Sequence, residues 1–228
     1  MLRKGRAGRC YGQWFEHDDG QLGSGACGRG AVYSRMHDDR VGLGESDPGP
    51  LPKSSQQIAD ELYSLLKNIG APDPYVMVGH SIGGLNVRLF ASEHPKEIVG
   101  MVLVDASNED EYFRIAALLP PDEREKYLRH EGGGNYEKVD LLASAKQIKR
   151  SPPLPVMPFI VLTSVQSGRP PDETGKRLHL ELQLQLARLS PNAQQTVIKD
   201  SGHFIQLDQP QAVIDAIRSV VGAARERR

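Results

Sequence analysis

The chain has 228 residues, 39% of them hydrophobic and 25% charged, with a formal net charge of -1. That length and balance suit one globular domain with a sizeable core and leave no electrostatic case for binding nucleic acid or an anionic membrane surface. No apolar run approaches the roughly 18 residues of a membrane span, and the basic start Met1-Leu2-Arg3-Lys4 lacks the apolar stretch of a secretory signal, so a cytoplasmic protein is expected, with Cys10 and Cys27 as free thiols.

Residues 1–40 form an atypical N-terminal segment. Eight of the first 30 residues are glycine, and no apolar run before residues 31–33 is long enough for a buried strand. Strands in this segment are therefore expected to be missing or altered. An out-of-frame reading of residues 7–39 would explain this, and the coding DNA decides it.

From residue 54 onward helices and strands alternate. Ser54 and Ser55 suit the start of a helix carrying Ile58, Leu62, Leu65, Leu66 and Ile69 on one face, with Gly70 placed to end it and Pro72 and Pro74 against its continuation. Residues 75–78 read as a buried strand, 86–94 as a helix, and 99–104 as a second strand too apolar to alternate. The segment 107–155 breaks the rhythm with Pro120-Pro121 and three successive glycines from Gly132, and reads as a helical cap or lid inserted between core strands. Residues 159–163 are a third strand, 178–189 a helix, 196–199 a weaker strand, and 210–224 a final helix with Pro210 in its first turn. Alternation of this kind predicts a mostly parallel sheet with helices on both faces, built from residues 41–106 and 156–228.

The chemistry begins at Gly79-His80-Ser81-Ile82-Gly83, between the first buried strand and the helix that follows. A sharp strand-to-helix turn holds one serine in a strained backbone with its hydroxyl above the sheet. A serine needs a neighbouring base, and histidine titrates near neutrality. Of seven histidines, His80 is expected to point away from Ser81, and His94 to end a helix. His130 and His179 sit among charges in solvated segments, and His17 and His37 lie in the atypical segment. His203, in Ser201-Gly202-His203-Phe204 between the last strand and the last helix, falls at the strand ends where Ser81 also lies.

Four segments make the chain resemble the α/β-hydrolase superfamily: Gly42-Leu43-Gly44-Glu45-Ser46, the serine turn, Leu103-Val104-Asp105-Ala106-Ser107, and Ser201-Gly202-His203. The resemblance covers residues 40–228 and implies an α/β-hydrolase fold and a serine hydrolase with the order serine, acid, histidine, closest to small bacterial esterase-like members. Two acids compete to orient the imidazole: Asp105, preferred, and Asp172, which follows the next strand but lies late, beside Glu173. Glu109 and Asp110 read as solvated cap residues. The Ile82 N–H is expected to be one oxyanion donor. The resemblance puts the second donor in an early loop, for which Gly23-Ser24-Gly25 is only a weak stand-in.

The leading expectation is hydrolysis of small carboxylic esters through an acyl-enzyme. Acyltransferase, lactonase or haloperoxidase-like chemistry, or a defective member, are the alternatives. No metal-ligand cluster or cofactor fingerprint is present in the sequence.

Overall fold

The computed structural model describes residues 14–18, 33–37, 46–47, 49–130, 138–168 and 170–227, the first two stretches by their backbone alone. Cys10, Cys27, Gly23-Ser24-Gly25 and Gly42-Leu43-Gly44-Glu45 lie outside the described residues, as do the side chains of His17 and His37.

Four parallel strands form one side of the sheet: β3 (Tyr75–His80), β4 (Ile98–Val104), β5 (Phe159–Ser164) and, at its edge among the described residues, β6 (Ala193–Ile198). Two further strands, β1 (Trp14–Asp18) and β2 (Tyr33–His37), complete a six-stranded sheet in the order β2-β1-β3-β4-β5-β6. Both run antiparallel to their neighbours, with Phe15 opposite Met77 and Met36. The N-terminal edge of the sheet is thus altered rather than missing, and the expectation of no strand before residue 31 is corrected. β1 pairs on both sides through backbone groups, which needs no apolar run, so composition gave no signal for it.

Alternation along each central strand feeds two cores. Met77, Met101, Leu103, Phe159 and Val161 face one way, packing with Leu62, Leu66, Phe90 and Leu186. Val76, Val78, Val102, Val104, Ile160 and Leu162 face the other, against Val213, Ala216, Val220 and Val221. The first set of helical partners comes from α1 (Ser55–Asn68), α2 (Gly83–Glu93) and α6 (Glu173–Leu186), and the second from α8 (Pro210–Glu226). Burial on both faces explains why these strands read as continuous apolar runs. A capping box starts α1, with the Ser54 and Gln57 side chains each bonded to the other's backbone N–H. Pro210 opens α8.

The segment between β4 and β5 holds three helices, α3 (Glu111–Leu118), α4 (Pro121–Arg129) and α5 (Leu141–Arg150). Its second half is fastened to the core: the Ser144 hydroxyl accepts from the Ser55 N–H at 2.9 Å, and Ile148 packs on Leu85 and Leu89 of α2. Its first half meets α6, where Ile115 packs on Leu178 and Leu182. A four-residue helix, α7 (Ile205–Asp208), follows β6. Among the described residues no helix is long and apolar enough to cross a membrane.

Candidate active site

Because β3, β4, β5 and β6 run parallel and in register, their carboxyl ends meet along one edge, with His80 opposite Val104, Val104 opposite Leu162, and Ser164 opposite Ile198. Ser81, Asp105 and His203 all emerge there. Ser81 sits at φ 53°, in the left-handed region that L-residues with a Cβ rarely adopt. The turn survives because the end of β4 brackets it: the Ser81 N–H donates to the Val104 carbonyl at 3.3 Å, and the Ser81 carbonyl accepts from the Ser107 N–H at 2.9 Å. Glycines allow this close approach. A Cβ at Gly79 would lie 2.7 Å from Val87 Cγ2, and one at Gly84 would lie 2.4 Å from the Ala106 Cβ. The sequence pattern anticipated Gly79; Gly84, where α2 crosses the β4 end, is an addition from the structure.

The structure brings Ser81, His203 and Asp105 into one chain of hydrogen bonds. His203 Nε2 is 2.9 Å from Ser81 Oγ, and His203 Nδ1 is 2.8 Å from Asp105 Oδ2. A carboxylate can only accept, so Nδ1 carries the hydrogen and Nε2 is left free to accept from the serine hydroxyl. Asp105 is fully buried in its side chain and also has positive φ, 43°. Its Oδ2 also accepts from the Ser167 hydroxyl at 2.6 Å, and its Oδ1 accepts from the Ser164 N–H at 2.8 Å and from His179 Nε2 at 2.9 Å. Four donors thus occupy the roughly four lone-pair sites of a carboxylate. Burial alone would raise the Asp105 pKa. The hydrogen bonds from His179 and His203, the His179 charge and the Ser167 bond outweigh it and hold the group well below the usual carboxylate range.

Asp172, the competing acid, is placed elsewhere: it is the N-cap of α6, its carboxylate accepting from the Gly175 N–H at 2.9 Å. Asp172→Ala is expected to cost about 1 kcal/mol of stability through the lost cap, measured by urea unfolding.

Two expectations, for His179 and Glu109, are corrected, and the placement of His80 is extended. His179 is not solvated: it is 7% exposed and bonded to Asp105. The charges of Lys176, Arg177 and Glu181 suggested a surface, but Gly175, Leu178, His179, Leu182, Gln183 and Leu186 form one buried helical face. The helical spacing of Leu178, Leu182 and Leu186 was the signal that could have found it. His80 does not merely point away: its Nε2–H donates to the His203 carbonyl at 2.9 Å and its ring centroid lies 4.6 Å from that of His203. It ties the loop that carries His203 to the serine turn. Glu109 is paired with the buried guanidinium of Arg88 at 2.7 Å. Burial alone would raise its pKa, but the charge and hydrogen bond of Arg88 hold it below the usual range. Asp110 is half-exposed and paired with Lys149.

A cavity of about 530 Å³ opens over Ser81 and His203. Ile82, Leu85, Tyr112, Ile115, Leu141 and Phe204 supply its apolar wall. Asn108, Glu109, Glu111 and Gln166 supply polar groups. Tyr112, Ile115, Tyr127 and Ala145 reach it from α3, α4 and α5, so the inserted helices form part of its wall.

Comparison with known proteins agrees with this architecture. A family profile described as alpha/beta hydrolase fold matches residues 39–136. The chain is 30% identical over 188 residues to YqjL, an uncharacterized protein of Bacillus subtilis (strain 168), a match covering 82% of this chain and 72% of that protein. Among solved structures, alpha/beta hydrolase domain-containing protein 10 from mouse superposes with a TM-score of 0.59 at 18% identity, covering 84% of this chain and 78% of the other. A thermophilic esterase from Thermogutta terrifontis superposes with a TM-score of 0.53 at 22% identity, covering 84% and 80%.

Proposed function

Since the chain belongs to the α/β-hydrolase fold family, we propose that it is a serine hydrolase that cleaves small carboxylic esters through an acyl-enzyme. The observation that carries this reading is the 2.9 Å contact from Ser81 Oγ to His203 Nε2, continued at 2.8 Å from His203 Nδ1 to Asp105. In the proposed reaction His203 takes the Ser81 proton as Oγ attacks the ester carbonyl. The resulting tetrahedral oxyanion is stabilised by the Ile82 N–H, first after the nucleophile and at the N-terminus of α2. Collapse expels the alcohol, which leaves with the proton from His203. Water then attacks the acyl carbon while His203 takes its proton; the acyl–Oγ bond breaks, His203 returns that proton to Ser81 Oγ, and the carboxylic acid leaves. Asp105 keeps its charge throughout and stabilises the imidazolium that forms twice in each cycle.

The apolar wall of the cavity suits a short acyl chain, and the helices of residues 107–155 act as its cap. That a structural neighbour is described as an esterase points the same way. The test is covalent: a fluorophosphonate probe should label the wild-type protein at Ser81, found by peptide mass mapping, and not label Ser81→Ala. Folded protein that hydrolyses no p-nitrophenyl butyrate and takes up no probe would overturn the reading. Added short alcohols that divert acyl groups to new esters would shift it toward acyl transfer.

A further inference from the structure

Asp105 is held by two histidines, one on each oxygen. His203 takes Oδ2 from the cavity side, and His179 takes Oδ1 from α6. Only His203 has a part in the reaction proposed above, which leaves a buried imidazole against the orienting acid with no role. The surroundings of His179 define what it does there. Its Nε2 faces a carboxylate and so must donate. The other charged group acting on it is Glu111, from α3, and the Ser164 main chain adds in the same direction. From the end of β5 onward the Ser164 N–H donates to Oδ1 and the Ser167 hydroxyl to Oδ2, so neither brings a charge to the acid. Tyr127 of α4 and His130 at its end share the cavity wall, and His203 stands across the carboxylate. Burial alone would lower the His179 pKa, but the hydrogen bond and charge of Asp105, then Glu111, raise it above the ordinary value.

We infer that His179 is a positioning residue of the catalytic acid: it anchors Asp105 Oδ1, and as an imidazolium it shares the carboxylate charge with His203. The inference rests on the Ser81–His203–Asp105 reading. Two consequences follow from the geometry. With one of the two donors on its Oδ1 lost, and only the Ser164 N–H left there, Asp105 is freer to rotate away from His203 Nδ1. With a cation on the far side of the acid, the carboxylate charge is divided between two partners, and the His203 imidazolium formed in the reaction is less stabilised than it would be beside a neutral partner.

Variants His179→Phe and His179→Gln separate anchoring from charge. For His179→Phe, kcat for p-nitrophenyl butyrate should fall by about 10- to 100-fold with KM within about twofold, as displacement of a catalytic group predicts. Gln keeps a donor of similar reach, so His179→Gln should recover part of that loss. It should also move the acidic limb of kcat/KM upward by about one pH unit, because the charge is gone. A second readout needs no turnover. A raised folded-state pKa contributes stability that is fully present below the unfolded value, about 6.5, and is lost as pH rises through the folded value. The urea midpoint of wild type relative to His179→Gln should therefore be higher at pH 6 and converge toward pH 9. A His179→Gln profile superimposable on wild type, or a midpoint difference independent of pH, would overturn the inference. Retention of hydrolysis by Ser81→Ala would sink the parent reading alone, and the stability comparison would still decide the charge on His179.

Discussion

Ser81→Ala is expected to lower kcat for p-nitrophenyl butyrate by roughly 10⁴- to 10⁶-fold, about 5–8 kcal/mol of transition-state stabilisation, with the protein still folded. The substitution removes one oxygen and one hydrogen bond, to His203 Nε2. The backbone at φ 53° is held by the Val104 carbonyl and the Ser107 N–H, neither of which involves the hydroxyl. Unfolding should therefore shift by only about 1 kcal/mol, and KM should change little, because the cavity wall is untouched. Steady-state kinetics beside a urea titration check both parts. A variant that keeps wild-type turnover removes Ser81 as nucleophile.

Asp105→Asn should be nearly as damaging, and the hydrogen-bond pattern says how. All four neighbours of the carboxylate donate: the Ser164 N–H and His179 to Oδ1, and Ser167 and His203 to Oδ2. An amide has one oxygen and one NH₂. The Ser164 N–H cannot reverse its direction, so the amide oxygen must take the Oδ1 side and the NH₂ must face His203 Nδ1. His203 then adopts the tautomer with hydrogen on Nε2, which cannot accept the Ser81 proton. A fall in kcat of about 10⁴-fold follows. Backbone strain does not confuse the result, since asparagine tolerates positive φ well. Stability should drop by about 3–5 kcal/mol, because His179 loses its buried anion. Its midpoint in urea and the pH dependence of the residual rate are the measurements. An Asn variant with unchanged turnover would return the choice of acid to the other carboxylates of the chain.

Much of the site was legible in the sequence. The serine turn was readable because its geometry is local: an apolar strand, glycines on both sides of Ser81, and helical spacing afterwards. His203 was readable because its loop falls between the last strand and last helix, and parallel topology sends such loops to one edge. Asp105 and Asp172 were not separable in the same way. Both follow strands, and a carboxylate at a strand end and one at a helix N-terminus look alike in sequence. Asp172 turned out to satisfy the first turn of α6, and Asp105 to lie buried against His203. His179 was misjudged because adjacent charges outweighed the leucine spacing, although only one face of α6 is buried.

By itself the sequence determined the strand–helix alternation, the two-sided burial of the strands β3 to β5 and the turn that carries Ser81, because each depends on periodicity or on residues adjacent in the chain. Tertiary structure alone decided which acid meets His203, that a second histidine 74 residues beyond Asp105 shares it, and that the N-terminal edge is closed by antiparallel strands. Those outcomes are set by distances between segments remote in sequence, and by backbone pairing that needs no particular side chains, so they leave no local pattern to read.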